Sequence, residues 1–329
     1  MSRVKLTLAT SHYDHLSDLT NGHVPVEGVD LTSLIMRVEE VFHRFIVFRD
    51  FDVGEVSLAK YSSMISQGDN SLVAIPVFPS RVPRHSSIYV MREGPVQRPS
   101  DLAGRTVGLP EWAQTASVYV RGLLMHQYGV DLSSVTWIQA GVDQTGRIEK
   151  VKLRLPNGLR LIPAPDKTLS GMLVAGEVDA IFSASPPSCF TAGKHNVKRL
   201  FEDFVAREMK YVQETGIFPI MHTIAFRAEV LESHPWLAMN LYSALEEAKA
   251  RSVKRALFSG VSSFPIPWFY EHARSAQELL GGDLWPYGIE PNRKTLTAFL
   301  QYAHEQGVCH QQLEPEQLFA ARVQQQFRT

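Results

Sequence analysis

Gly94-Pro95-Val96-Gln97-Arg98-Pro99-Ser100-Asp101-Leu102-Ala103-Gly104-Arg105-Thr106-Val107-Gly108-Leu109 decides the fold. Gly94–Pro99 reads as a linker, because its two prolines fix φ and remove backbone donors. Asp101–Gly104 is then a turn and Arg105–Leu109 a strand, so a second α/β pattern starts after a first has been laid down. The first pattern comprises strands Val4–Ala9 and Val29–Leu34, the second of these following a Pro25–Gly28 turn. It continues with helix Glu39–Phe48, the strand and turn Phe51-Asp52-Val53-Gly54-Glu55-Val56-Ser57, helix Leu58–Ser66 and strand Ser87–Met91.

Downstream of the restart, Thr115–Tyr128 has apolar residues spaced by three and four, which predicts a helix. Val135–Gln139 is a strand. Lys150–Leu155 and Leu159–Ile162 flank Pro156-Asn157-Gly158, a hairpin signal. Leu169–Ala175 reads as a helix ending at Gly176, and Val178–Phe182 and Val197–Phe201 read as strands. A second linker is expected near 205–216. Strand His222–Phe226 follows, then helices Pro235–Ala256, Phe269–Leu280, Lys294–Glu305 and Pro315–Phe327. Alternating strands and helices predict α/β architecture with mixed, mostly parallel sheets. The two linkers divide the chain into a discontinuous first lobe, 1–98 plus 206–329, and an inserted second lobe, 99–205. The ligand cleft is then expected between the lobes, at strand ends and helix starts.

Composition narrows the function. The chain has 329 residues, 44% of them hydrophobic and 20% charged, with a formal net charge of −1. That apolar content supplies sizeable cores. The absence of a basic excess argues against nucleic acid as partner. No apolar stretch reaches the length of a membrane span. The start, a short alternating strand with no apolar leader, gives the expectation of a cytoplasmic protein. Cys189 and Cys309 stand far apart and read as two reduced thiols.

Ile75-Pro76-Val77-Phe78-Pro79-Ser80-Arg81-Val82-Pro83-Arg84-His85 holds the densest chemistry. Three prolines stiffen it, and two arginines and a histidine ride on it. A rigid guanidinium suits a carboxylate, which it grips with a two-pronged fork. A solvated basic turn is the plainer alternative.

The layout resembles the type II periplasmic binding protein fold. Asp101–Gly108 is similar to the motif that opens the second lobe in that superfamily, and Gly176-Glu177-Val178-Asp179-Ala180 to the motif that closes it. A closer resemblance, to the 4,5-dihydroxyphthalate decarboxylase family, rests on several stretches in order along nearly the whole chain. They are Phe51–Ser57, Pro76–His85, Thr115-Ala116 to Arg121-Gly122, Phe218-Pro219-Ile220-Met221-His222, and Asp283-Leu284-Trp285-Pro286-Tyr287-Gly288-Ile289-Glu290-Pro291-Asn292-Arg293. Pro83 and Leu284 depart from the family pattern, which bears on fine substrate choice.

The resemblance implies loss of one carboxylate from 4,5-dihydroxyphthalate, giving protocatechuate and CO2. Each ring carboxylate lies para to a hydroxyl, so electron density from that oxygen drives protonation of the carboxylated carbon to a dienone. The substrate is its own electron sink, so no organic cofactor is required. A divalent metal chelated by the catechol oxygens and His, Asp or Glu is the alternative; no tight metal-ligand spacing marks one. The protein must supply a base, an acid and cations for the spectator carboxylate. His85 and His222 are the candidate acid–base pair, each with a structural histidine as the alternative. Glu55 and Asp14 are further catalytic candidates. Arg84, Arg81 and Arg121 are candidate carboxylate clamps, with Arg84 favoured. The N–H groups of Thr115, Ala116 and Ser117 at a helix start offer an anion site. Ser57 and His12 are candidate substrate contacts, and Trp112 and Trp285 candidate walls for a planar ring, with Tyr287 beside them. The expected partner is a small aromatic dicarboxylate, and a homo-oligomer is expected from the C-terminal helices. A solute-binding or sensing protein for an aromatic carboxylate, or a decarboxylase of a related hydroxylated acid, are the rival readings.

Overall fold

The computed structural model describes residues 3–193 and 195–324. Its strands form two sheets. The first has the order β2 (Val29–Ile35), β1 (Val4–Thr10), β3 (Val53–Ser57), β11 (His222–Arg227), β4 (Leu72–Ile75). The second runs β10 (Val197–Arg199), β5 (Ile88–Met91), β9 (Ala180–Phe182), β6 (Thr106–Leu109), β7 (Thr136–Gly141), β8 (Arg160–Thr168). Parallel pairs join β1 to β2 and β3, and β6 to β7 and β9, while β11 enters the first sheet antiparallel between β3 and β4. This is a mixed α/β fold in two lobes. Ile88–Met91 already belongs to the second sheet, pairing with β9 and β10.

The chain crosses between sheets in two segments that lie side by side. Met221 N–H donates to Ser80 O at 2.8 Å, Val82 N–H donates to Pro219 O at 3.1 Å, and Arg81 pairs with Ile220 in an isolated antiparallel bridge. The proline-stiffened segment is therefore one half of the crossing. A continuous apolar core links Leu8 and Val56 of the first sheet to Val107 and Trp137 of the second.

Several local expectations are corrected. The segment expected as a linker near 205–216 is helix Phe204–Thr215, which buries Tyr211 and Val212 and ends at Gly216 in the left-handed region. Lys150–Leu155 forms no strand; β8 begins only at Arg160 and pairs in parallel with β7, so there is no hairpin. Instead this stretch reaches the C-terminal region, where Arg154 N–H donates to Gly307 O at 2.9 Å. The helix expected over Pro315–Phe327 is two 3₁₀ turns, Pro315–Leu318 and Ala321–Val323, and its last residues lie outside the described region. Among the described residues no helix is long and apolar enough to cross a membrane.

Helix Thr115–Tyr128 packs against helix Arg293–Glu305 so closely that a Cβ on Gly122 would lie 2.3–2.7 Å from the Tyr302 ring. Gly122→Ala is therefore expected to cost roughly 1–3 kcal/mol by overpacking. A calorimetric melt should show a drop of several degrees, and an unchanged melting temperature would contradict this packing.

Candidate active site

The C-terminal end of β3 and the start of β11 meet at the crossing, and their register sets the site. His222 lies directly opposite Ser57, and Glu55 opposite Ile224. Residues paired across a ladder share a face, so Glu55, Ser57 and His222 project together. Glu55 is fully buried, and its Oε1 lies 2.6 Å from His222 Nδ1. The same oxygen accepts the Tyr13 hydroxyl at 2.6 Å, and Oε2 accepts Ser11 N–H at 2.9 Å. Burial opposes ionisation of Glu55. The bonds from His222, Ser11 and Tyr13, with the charge of His222, outweigh it and hold the carboxyl below its ordinary range. An ionised Glu55 only accepts, so Nδ1 of His222 carries the proton and Nε2 is left for chemistry. The ring stands edge-on to Phe42 with centroids 4.9 Å apart, and the side chain keeps 18% of its exposure. Tyr13 stays a phenol: burial and the neighbouring Glu55 raise it far above its usual value.

The second lobe reaches this cluster through helix Thr115–Tyr128. Thr115 Oγ1 lies 2.9 Å from Ser57 Oγ and accepts Ala59 N–H at 3.1 Å. The first intrahelical bond runs from Val118 N–H to Gln114 O, and Gln114 makes no side-chain cap. The N–H groups of Thr115, Ala116 and Ser117 therefore precede the helix's own bonding, at residues no more than 5% exposed. A buried helix start of this kind favours an anion. A cavity of about 570 Å³ opens between Arg37, Glu39 and Glu40 of the first lobe and 141–147 of the second.

Arg84 lies behind Met221. Its Nη1 donates to Ala184 O at 3.1 Å, and its Nε and Nη2 meet only the Met221 sulfur, at 3.3 and 2.9 Å. Burial pushes this guanidinium down to about 10. A thioether is a weak acceptor, so a buried cation with five donors is poorly satisfied here.

Other expected site residues lie elsewhere. His85 sits in a 3₁₀ turn within a box of Tyr128, Phe201 and Tyr211, with centroids 5.3–6.3 Å away. Tyr128 ends the helix that Thr115 begins, about 20 Å along at 1.5 Å per residue, so His85 does not join the His222 cluster. Arg81 donates to Phe218 O, Pro286 O and Asn292 Oδ1 amid Phe78, Phe218 and Trp285. Arg121 donates to Trp112 O and Gln306 Oε1 and lies 3.7 Å over the Trp112 ring, so its fork is occupied by the core and Trp112 walls no cleft. Asp14 is an exposed helix-start residue that accepts Ser252 Oγ–H at 2.6 Å, and His12 is exposed. Trp285 donates to Phe78 O and contacts His15, which in turn contacts Tyr13, so it supports the site from behind. Tyr13 itself was missed. Strand-like alternation turns it inward while His12 and Asp14 point out. Among the described residues no group of three or more His, Cys, Asp or Glu gathers as a metal site.

Two buried histidines outside the cluster set a pH limit on stability. Burial lowers His15 and His85 from 6.5 to about 4, and His15 Nε2 and His85 Nδ1 have no partner. Each stays neutral in the folded chain while the unfolded chain binds a proton near 6.5. Their stabilising contribution is therefore complete above pH 6.5 and is lost as pH falls toward 4, up to roughly 3 kcal/mol per ring. Melting curves should fall steeply across that window, and less steeply for His85→Phe. A flat profile would contradict the burial.

The structure resembles the periplasmic aliphatic sulphonate binding protein SsuA from Escherichia coli, at a TM-score of 0.55 and 12% identity over 99% of this chain and all of that one. It also resembles the desulfurization enzyme DSZB, at a TM-score of 0.51 and 15% identity over 98% of each chain. These likenesses show the fold: a two-lobed, type II periplasmic binding protein-like architecture. A family model described as NMT1/THI5 like matches residues 81–151. A curated relative from Comamonas testosteroni, named 4,5-dihydroxyphthalate decarboxylase, is 37% identical over the full length of both chains. One of the same name from Pseudomonas putida is 40% identical over 204 residues, covering 62% of this chain and 79% of that relative. With full-length identity at this level, the chain belongs to the 4,5-dihydroxyphthalate decarboxylase family.

Proposed function

We propose that the protein is a carboxy-lyase that converts 4,5-dihydroxyphthalate to protocatechuate and CO2 at the Glu55–His222 cluster. The observation that carries this reading is the buried carboxylate 2.6 Å from an imidazole, beneath an uncapped helix start from the other lobe. The full-length relative's name supports the substrate.

The spectator carboxylate rests on the N–H groups of Thr115, Ala116 and Ser117, with Arg84 as the nearby cation. His222 delivers a proton from Nε2 to the carboxylated ring carbon, and ionised Glu55 stabilises the positive ring that precedes transfer. The para hydroxyl supplies the electron pair and releases its proton to water, leaving a dienone. The bond to the carboxylate then breaks and CO2 departs. Its electron pair restores the aromatic ring, and the oxygen regains a proton. His222 takes the place expected for a His85–His222 pair, because His85 is remote.

The reading includes a cytoplasmic location, which fractionation tests. It also includes a homo-oligomer, supported by the uncharged stretch 256–270, where Val261 and Trp268 are 63% and 77% exposed. Light scattering tests that part. The activity itself is tested by supplying 4,5-dihydroxyphthalate to purified protein and following CO2 and protocatechuate in equal amounts. No product, with or without divalent metal, would overturn it.

A further inference from the structure

The start of helix Thr115–Tyr128 serves the proposed chemistry only if it is held against the end of β3, and it belongs to the other lobe. The Ser57–Thr115 hydroxyl bond is one contact across that seam. A second lies one helical turn away. Lys60, three residues after Ser57 on helix Leu58–Ser66, places Nζ 2.7 Å from Glu111 Oε2. Glu111 lies four residues before Thr115, and its other oxygen meets Arg147 Nε at 2.8 Å. The Glu111 side chain has no exposure and that of Lys60 only 10%. The same turn is fixed from its own lobe, where Ala113 N–H donates to Glu149 at 3.0 Å.

A buried ion pair is a poor source of stability. Desolvating both charges offsets most of their attraction, and apolar replacements of similar size are often neutral or better. What such a pair supplies is register, because misalignment strands a charge in the interior. Here the register concerned is that of the helix start over His222.

We propose that Lys60 and Glu111 are positioning residues for the decarboxylation, an ion pair across the seam that sets the Thr115 helix start over the Glu55–His222 cluster. The inference rests on the functional reading above. Neither residue touches substrate. Their effect is on where the N–H groups sit when the spectator carboxylate binds.

The test compares Lys60→Met, Lys60→Arg and the double variant Lys60→Met/Glu111→Met. It uses kcat and KM on 4,5-dihydroxyphthalate, calorimetric affinity for phthalate, and melting temperature. Phthalate keeps both carboxylates and lacks the hydroxyls that drive the reaction. Lys60→Met leaves the buried Glu111 with Arg147 as its remaining contact cation and should melt below wild type. The double variant removes the half-paired buried carboxylate, leaves Arg147 partly open to water, and should recover most of that loss. Its kcat should nevertheless stay at least 10-fold down, with phthalate bound about 10-fold more weakly. Lys60→Arg keeps the charge and should remain within about threefold of wild type. A double variant that is well folded, binds phthalate like wild type and turns over within twofold of it would overturn the proposal. A wild-type protein that binds phthalate but yields no CO2 would defeat the decarboxylase reading instead, and the affinity comparison would then decide the positioning role alone.

Discussion

Replacing His222 with Gln is expected to lower kcat for 4,5-dihydroxyphthalate by about 10³-fold while leaving the melting temperature within a few degrees. Positioned proton transfer contributes roughly 10²–10⁴-fold, and His222 is the one imidazole in the cluster. It is partly exposed and starts its strand rather than sitting in the core, so little packing is lost. In the proposed reading the helix start and Arg84, not His222, hold the substrate's carboxylates, so KM should move less than threefold. An effect confined to KM would show that His222 binds substrate without moving protons. Activity within fivefold of wild type would remove it from the chemistry.

Glu55→Gln is expected to be nearly as severe, about 10²–10³-fold in kcat, although it changes one atom. Glu55 Oε1 accepts from both His222 Nδ1 and the Tyr13 hydroxyl. A Gln amide that turns its NH2 toward Nδ1 makes that nitrogen an acceptor, so the ring stays neutral and its Nε2–H is too weak an acid to protonate the ring carbon. A Gln that turns its carbonyl there instead keeps the tautomer but loses the charge that stabilises the protonated ring. It also faces Ser11 N–H with a donor in place of Oε2. The double variant Glu55→Gln/His222→Gln should be no slower than His222→Gln, because the two act as one unit. The pH dependence has a definite sign. The Glu55 carboxyl is held below its ordinary range, so its contribution to stability is present above about 4.5. That contribution is lost as pH falls through the lower folded value.

Much of this was legible in the chain, and the reasons for the rest are physical. The restart at Asp101–Leu109 was legible because a linker followed by a turn and strand is a local pattern, although the second sheet already includes Ile88–Met91. Glu55 and Ser57 could be singled out because they end a short strand. Thr115 and Ala116 could be placed because a helix start always leaves free N–H groups. The arginines were less readable. Arg81, Arg84 and Arg121 look alike in sequence, yet backbone carbonyls from residues 112, 218 and 286 engage two of them. Sequence spacing carries no trace of such distant acceptors. His85 follows Arg84 directly but is drawn into an aromatic box by Phe201 and Tyr211. Helix Phe204–Thr215 reads as a linker because its apolar residues make no clean stripe: Tyr211 and Val212 are buried, while Val205 and Met209 face water. Tyr13 lay between two residues that were singled out, and only the turn after β1 shows which of the three faces inward.

The central claim is positional: an aromatic dicarboxylate binds between His222 and the start of the Thr115 helix. A crystal structure with phthalate tests it most directly, since the ligand carries the carboxylates and does not react. The account predicts one carboxylate on the N–H groups of Thr115 and Ala116, with the ring carbon bearing the other within reach of His222 Nε2. Phthalate seated instead in the aromatic box around His85, or at any place out of contact with His222, would contradict it.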